Sequence, residues 1–154
     1  MAEDLRAFGD PGSDEFRVDA YPFYLLNRAV SRYNVVIESV LRGIGLDIPS
    51  WRVLMILGEA EPLPIAQVAK SAVINISTMM RIVERMQKAG LIETAPSASD
   101  GRVTELLLTT TGKDRLAIAR TTTAPVYHKL IRGFSATDFR RLLDLLGRLH
   151  DNLE

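Results

Sequence analysis

The stretch PIAQVAKSAVINISTMMRIVERMQKAGLIETAPSASDGRVTELLLTTTGK, Pro64 to Lys113, decides how the rest of the chain is read. It opens as a short helix from Pro64 to Lys70, turns through Ser71 to Ile74, and continues as a second helix from Asn75 to Ala89. Within the second helix Ile76, Met79, Val83 and Met86 recur at intervals of three and four, which gathers one apolar stripe toward a core. The other side is left with Ser77, Thr78, Arg81, Arg85 and Lys88. Gly90 suits the position just past a helix end, because glycine enters the left-handed conformation without a Cβ penalty. Two strands follow, Leu91 to Ala95 and Val103 to Leu108, around a tip of turn-forming residues from Pro96 to Arg102. A helix-turn-helix followed by such a hairpin is a winged helix. The expected fold class is therefore mainly α, with a small β-hairpin wing.

The runs WRVLMIL (residues 51–57), Gly90-Leu91-Ile92-Glu93, Asp100-Gly101-Arg102 and Leu108-Thr109-Thr110-Thr111-Gly112 resemble, in that order and spacing, the MarR family of bacterial transcription regulators. The resemblance runs from about Tyr21 to the C-terminus, and Asp-x-Arg followed by Leu-Thr-x-x-Gly is its most specific part. It implies a DNA-binding regulator in which the wing arginine, here Arg102, enters the minor groove while Asp100 steadies it. It also implies terminal helices interlocked across a two-fold axis, and a pocket between those helices and the reading lobe for small phenolic or aromatic carboxylates. The chain departs from the family in one place. Many members carry arginines where this one has Thr94 and Ala95, so fewer wing contacts to phosphate and a weaker salt dependence are expected.

With 154 residues the chain suits one domain, or one reading lobe joined to a helical dimer lobe. A hydrophobic content of 47% excludes disorder as a description of the whole. No apolar run is long enough to cross a bilayer, and the charged N-terminus lacks a signal peptide's apolar segment, so the expected location is cytoplasmic. There is no cysteine, which excludes disulfides, thiolate zinc sites and oxidant sensing through a thiol. Net charge is zero, but it is unevenly spread. Residues 1–19 hold six acids and two bases, whereas residues 64–113 hold six bases and four acids, and residues 114–154 seven and five. An acidic tail thus masks a mildly basic body, and only weak nonspecific attraction to phosphates is expected.

Residues 1–18 read as a mobile or loosely docked acidic tail. From Asp19, a candidate N-cap, Phe23, Leu26, Val30, Tyr33, Ile37, Val40 and Ile44 make a seam of about six turns ending near Gly43 and Gly45. Asp47 can cap the next helix, with Pro49 in its first turn and Trp51, Leu54, Met55 and Leu57 as apolar surface, until Glu61-Pro62-Leu63-Pro64 breaks it. After the wing, a helix from Thr109 or Thr110 to about Arg132 contains Pro125, where a bend is expected. The final helix opens with Ser135 as N-cap, Asp138 three residues on and Phe134 against Phe139, and carries the stripe Phe139, Leu142, Leu146, Leu149 and Leu153. These long amphipathic helices exceed what one small winged helix can cover. Residues 19–48 and 110–154 are therefore assigned to a helical dimerisation region, and residues 49–109 to the winged helix-turn-helix.

The candidate DNA contacts are Ser77, Thr78 and Arg81 at the start of the reading helix, Asn75 and Arg85 beside them, and Asp100 with Arg102 on the wing. For an effector, Tyr24, Arg28 and Ser31 lie at i, i+4 and i+7 beside the seam, and Arg52 follows Trp51; a guanidinium on an aromatic wall suits a carboxylate. His128 and His150 lie on different helices and form no metal or nucleophile motif with the scattered acids, so neither an enzyme nor a cofactor is implied. The reading is a dimeric regulator of a pseudo-palindromic double-stranded DNA site, a repressor released by a small aromatic acid. Two alternatives stay open, an effector-independent DNA-binding dimer and a winged helix used for protein–protein interaction.

Overall fold

The computed structural model describes residues 4–154. Its elements are α1 (Arg6–Gly9), a 3₁₀ turn (Val18–Ala20), α2 (Pro22–Arg42), α3 (Ile48–Glu59), β1 (Leu63–Pro64), α4 (Ile65–Ala72) and α5 (Ile76–Lys88). They continue as β2 (Ile92–Pro96), β3 (Thr104–Leu108), α6 (Thr110–Leu130) and α7 (Ala136–Asp151). The chain is mainly helical with a small antiparallel sheet, as the winged-helix reading requires.

The core forms around α3, whose Trp51, Val53, Leu54 and Leu57 are buried and which meets α2, α4, α5, α6 and β3. Asp47 caps it by accepting from the Ser50 amide at 2.9 Å, and Pro49 takes the first turn, where its missing N–H is no loss. Opposite α3 lie Val68 and Ala69 of α4, Met79, Val83 and Met86 of α5, and Leu116 and Ala119 of α6. Every one of these comes from a three–four spacing. The sheet is less local. Its order is β1-β3-β2, and Leu63 pairs with Leu106 while Ile92 pairs with Leu108. The wing is thus anchored by a third strand, which the sequence reading placed in a helix break and in the first residue of the next helix.

Several expectations shift. Ile76 is exposed rather than in the core stripe, because it is the first residue of α5 and the helix starts outside the packed layer; Ile82 fills the apolar face instead. The first long helix begins at Pro22, not Asp19, which sits in the 3₁₀ turn and pairs with Arg17 at 3.3 Å. Of its seam Ile37 is buried, but the second buried residue is Leu41, while Phe23 and Val30 face solvent. Residues 1–3 of the proposed tail lie outside the described residues. From residue 4 onward the segment folds back on itself: the Arg17 amide donates to the Phe8 carbonyl at 2.9 Å, and its guanidinium stands 5.0 Å over the Phe8 ring. Phe16 and Tyr21 then meet edge to face ahead of α2.

α6 runs unbroken through Pro125. Before the proline, Thr121, Thr122 and Thr123 each donate a hydroxyl to the carbonyl four residues back, at 3.2, 2.8 and 2.8 Å. α7 begins with the expected capping box: the Asp138 amide donates to Ser135 Oγ at 3.1 Å, and the Ser135 amide to Asp138 Oδ2 at 3.0 Å. Phe139 meets Tyr127 of α6 edge-on at 6.4 Å, and Phe134 stays exposed.

Glu61, just ahead of β1, accepts from the Leu108 amide at 2.7 Å and from Lys113 Nζ at 2.9 Å, tying the wing's base to α6. Partial burial pushes its carboxyl up, but the hydrogen bonds from Leu108 and Lys113 outweigh this and hold it below the usual range. A depressed folded value means stability that is present above the unfolded carboxyl's range and lost as pH falls through the folded one. Glu61→Gln is expected to flatten the acid side of the stability profile, measured as melting temperature between about pH 7 and about pH 3. An unchanged profile would remove Glu61 from the acid response.

Val73, in the turn between α4 and α5, has φ 56° and ψ 47°, a left-handed conformation that a β-branched side chain disfavours by about 1–2 kcal/mol. Its side chain is almost wholly exposed, so little burial offsets that strain. Val73→Asn is expected to raise stability by about 1 kcal/mol in chemical denaturation, since asparagine tolerates this region.

Candidate nucleic-acid interface

The start of α5 is built around Asn75. Its Oδ1 accepts from the Thr78 amide and from Ser77 Oγ, both at 2.8 Å, so one side chain caps the helix and turns the Ser77 hydroxyl. With the Met79 amide bonded to the Asn75 carbonyl, the amides of Ile76 and Ser77 remain at the helix tip, where the helix dipole favours an anion such as phosphate. Asn75 therefore positions the tip.

The cations of α5 are not equivalent. Lys88 pairs with Glu84 at 3.0 Å. Arg85 reaches back to Asp47 Oδ2 at 2.7 Å and to Ser50 Oγ at 3.3 Å, which binds α5 to the first turn of α3. Arg81 has no ion-pair partner among the described residues and stands on the exposed face with Ser77 and Thr78. It is the side chain of α5 free to fork onto a guanine edge. Gln87 Nε2 donates to Thr94 Oγ1 of β2 at 3.2 Å, a link between helix and wing that no sequence spacing signals.

At the wing tip the Ser97 amide donates to the Val103 carbonyl at 2.8 Å, and the Val103 amide to the Asp100 carbonyl at 2.9 Å. Asp100 then holds Arg102 three times: Oδ1 accepts from the backbone amide and from Nε, both at 3.1 Å, and Oδ2 accepts from Nη2 at 3.2 Å. The fork from Arg102, with its amide, keeps the Asp100 carboxyl below the usual carboxylate range. The arginine is nonetheless 91% exposed, so it projects from the tip with its direction already set. Helix tip and wing arginine thus present, on one chain, a capped helix N-terminus and an exposed, oriented guanidinium, the groups with which winged helices in general meet a major groove and an adjacent minor groove.

The residues predicted for an effector do not line a common groove. Tyr24, Arg28 and Ser31 do come together, in an open groove of about 570 Å³ along α2 with Asn27, Arg32 and Val35, and the Arg28 guanidinium lies 5.6 Å over the Tyr24 ring. Trp51 is core. Arg52 donates to the Ala72 carbonyl at 3.3 Å and lines a different groove of about 470 Å³, with Met55, Ile56 and Val73. A third groove, of about 490 Å³, lies between the end of α3, β3 and α6 and includes Glu61, Lys113 and Arg120. Among the described residues no three His, Asp or Glu side chains gather as a metal site, and no helix is long and apolar enough to cross a membrane.

A family model described as MarR family matches residues 44–103, from just after α2 to the wing. The HTH-type transcriptional repressor IacR of Pseudomonas putida is 39% identical over 145 residues, covering 94% of this chain and 87% of that protein. The chain belongs to the MarR family. As a MarR-family protein it is a DNA-binding transcription regulator and not an enzyme. A MarR-family regulator from Silicibacter pomeroyi has the same fold, with a TM-score of 0.81 at 23% identity over 99% of this chain and 97% of that one. BpsR of Bordetella bronchiseptica, whose DNA binding is regulated by 6-hydroxynicotinic acid, superposes with a TM-score of 0.75 at 19% identity over 84% of this chain and 93% of its own.

Proposed function

We propose that this MarR-family protein is a homodimeric repressor that reads a pseudo-palindromic operator with α5 and the wing of each protomer. In this reading it leaves the operator when a small aromatic or phenolic carboxylate binds. The observation that carries the dimer is α7. It spans 16 residues, none of them buried, although Leu143, Leu145 and Leu146 lie along it. Phe23 and Val30, two turns apart on one side of α2, are exposed as well. Helices of this length and composition bury their leucines against a partner, and a two-fold partner would set two reading helices about 34 Å apart, one turn of duplex.

The effector class is supported by the Tyr24–Arg28 arrangement and by the aromatic acid that regulates BpsR. Release follows from coupling: a ligand that favours a spacing of the reading lobes unlike that of the half-sites weakens DNA by the factor that DNA weakens ligand. Light scattering is expected to give twice the protomer mass. A thermal-shift panel of benzoates, cinnamates and phenols is expected to yield at least one stabiliser, worth about 2.7 kcal/mol at a hundred times its dissociation constant, that also frees operator in a gel shift. A protomer mass at working concentration defeats the dimer. A silent panel leaves an effector-independent DNA-binding protein.

A further inference from the structure

The rim of α5 that faces the wing carries two exposed apolar side chains. Ile76 and Met80, one turn apart, are 51% and 52% exposed. Met80 and Gln87 lie about two turns apart on one side of the helix, and Gln87 bonds to Thr94 of the wing, so this side is the one turned toward β2. The opposite rim carries Thr78 and the Arg85 that Asp47 holds. Ser77 and Arg81 lie between the two rims. α5 therefore presents a polar edge on the α3 side, hydrogen-bonding side chains at its crest and an apolar edge on the wing side.

Two large apolar groups in water at the tip of a DNA-reading helix are unfavourable. A major groove offers one apolar group on its base edges, the C5 methyl of thymine, and alkyl side chains read it by contact. We propose that Ile76 and Met80 seat thymine methyls of the operator and so impose thymine on the wing side of the bases read by Ser77 and Arg81. This rests on α5 being the recognition helix, and the patch is continuous with the polar contacts assigned to that helix.

The test uses duplexes that the wild-type protein recovers from a random library, each amplified once with dTTP and once with dUTP. Uracil pairs as thymine does and lacks only the methyl. Wild-type affinity is expected to fall about fourfold for each methyl lost, the change equivalent to one methylene-sized group, ~0.8 kcal/mol, at about 1.4 kcal/mol per decade. The double variant Ile76→Ala, Met80→Ala is expected to bind both forms alike, at the weaker level. Arg81→Ala is expected to weaken both forms while keeping their ratio. Equal wild-type binding to the two forms, or a ratio unchanged in the double variant, overturns the methyl contact and leaves the recognition helix standing. Recovery of no duplex removes the recognition helix itself. A double variant that keeps the ratio but associates less with itself in light scattering assigns the patch to protein contact and also overturns the proposal.

Discussion

Gly112→Ala is expected to cost about 3 kcal/mol or more, lowering the melting temperature on the order of 10 °C and leaving little folded protein at growth temperature. α6 starts against the corner where α5 becomes the wing. Thr109 donates its amide to the Leu91 carbonyl at 3.1 Å and its hydroxyl to the Gly90 carbonyl at 2.6 Å, while Thr109 Oγ1 accepts from the Gly112 amide at 2.9 Å and so caps α6. Gly112 is buried in this joint, and a Cβ there would penetrate the backbone carbonyl of Leu91, with Leu108 closing the other side. Backbone cannot step aside as a rotamer can, so α6 must leave the corner, taking the cap and the wing's base with it. Thr109→Ala, which removes the hydroxyl and leaves the space, is expected to cost only about 1 kcal/mol. Equal melting curves for Gly112→Ala and wild type would show that the close approach is not needed.

Arg102→Ala is expected to weaken operator binding roughly tenfold or more, with little change in stability, because the side chain projects into solvent with Asp100 as its ion-pair partner. Loss of one cation per chain should also make log K less steep against log salt by about one for each wing that contacts DNA. Asp100→Asn tests the other half of the pair. It keeps the cation but gives up the ionised carboxylate that fixes the fork, so a smaller loss is expected, and the two substitutions together should cost less than their sum. Gel-shift titrations at two salt concentrations measure all three variants. Unchanged binding by Arg102→Ala would take the wing out of the mechanism, while an unchanged salt slope would mean that the arginine does not meet the phosphate field.

The parts of this protein that were legible in its sequence are those set by short-range rules. The three–four spacing of Met79, Val83 and Met86 defines the buried face of α5, Asp47 and Ser135 mark helix starts because their oxygens reach amides three residues on, and Asp100-Gly101-Arg102 makes a turn that brings its own ion pair. Tertiary structure alone decided the rest. Leu63 joins the sheet only because Leu106 is brought beside it, Trp51 is core and parted from Tyr24 because α3 lies at the centre, and Arg85 is committed because Asp47 happens to face it. Ile76 shares the period of a core residue and is still exposed, since periodicity names a side of a helix but not where the neighbouring layer ends. Local hydrogen bonds and repeat spacings are written within a few residues, whereas which surface is covered depends on partners dozens of residues away.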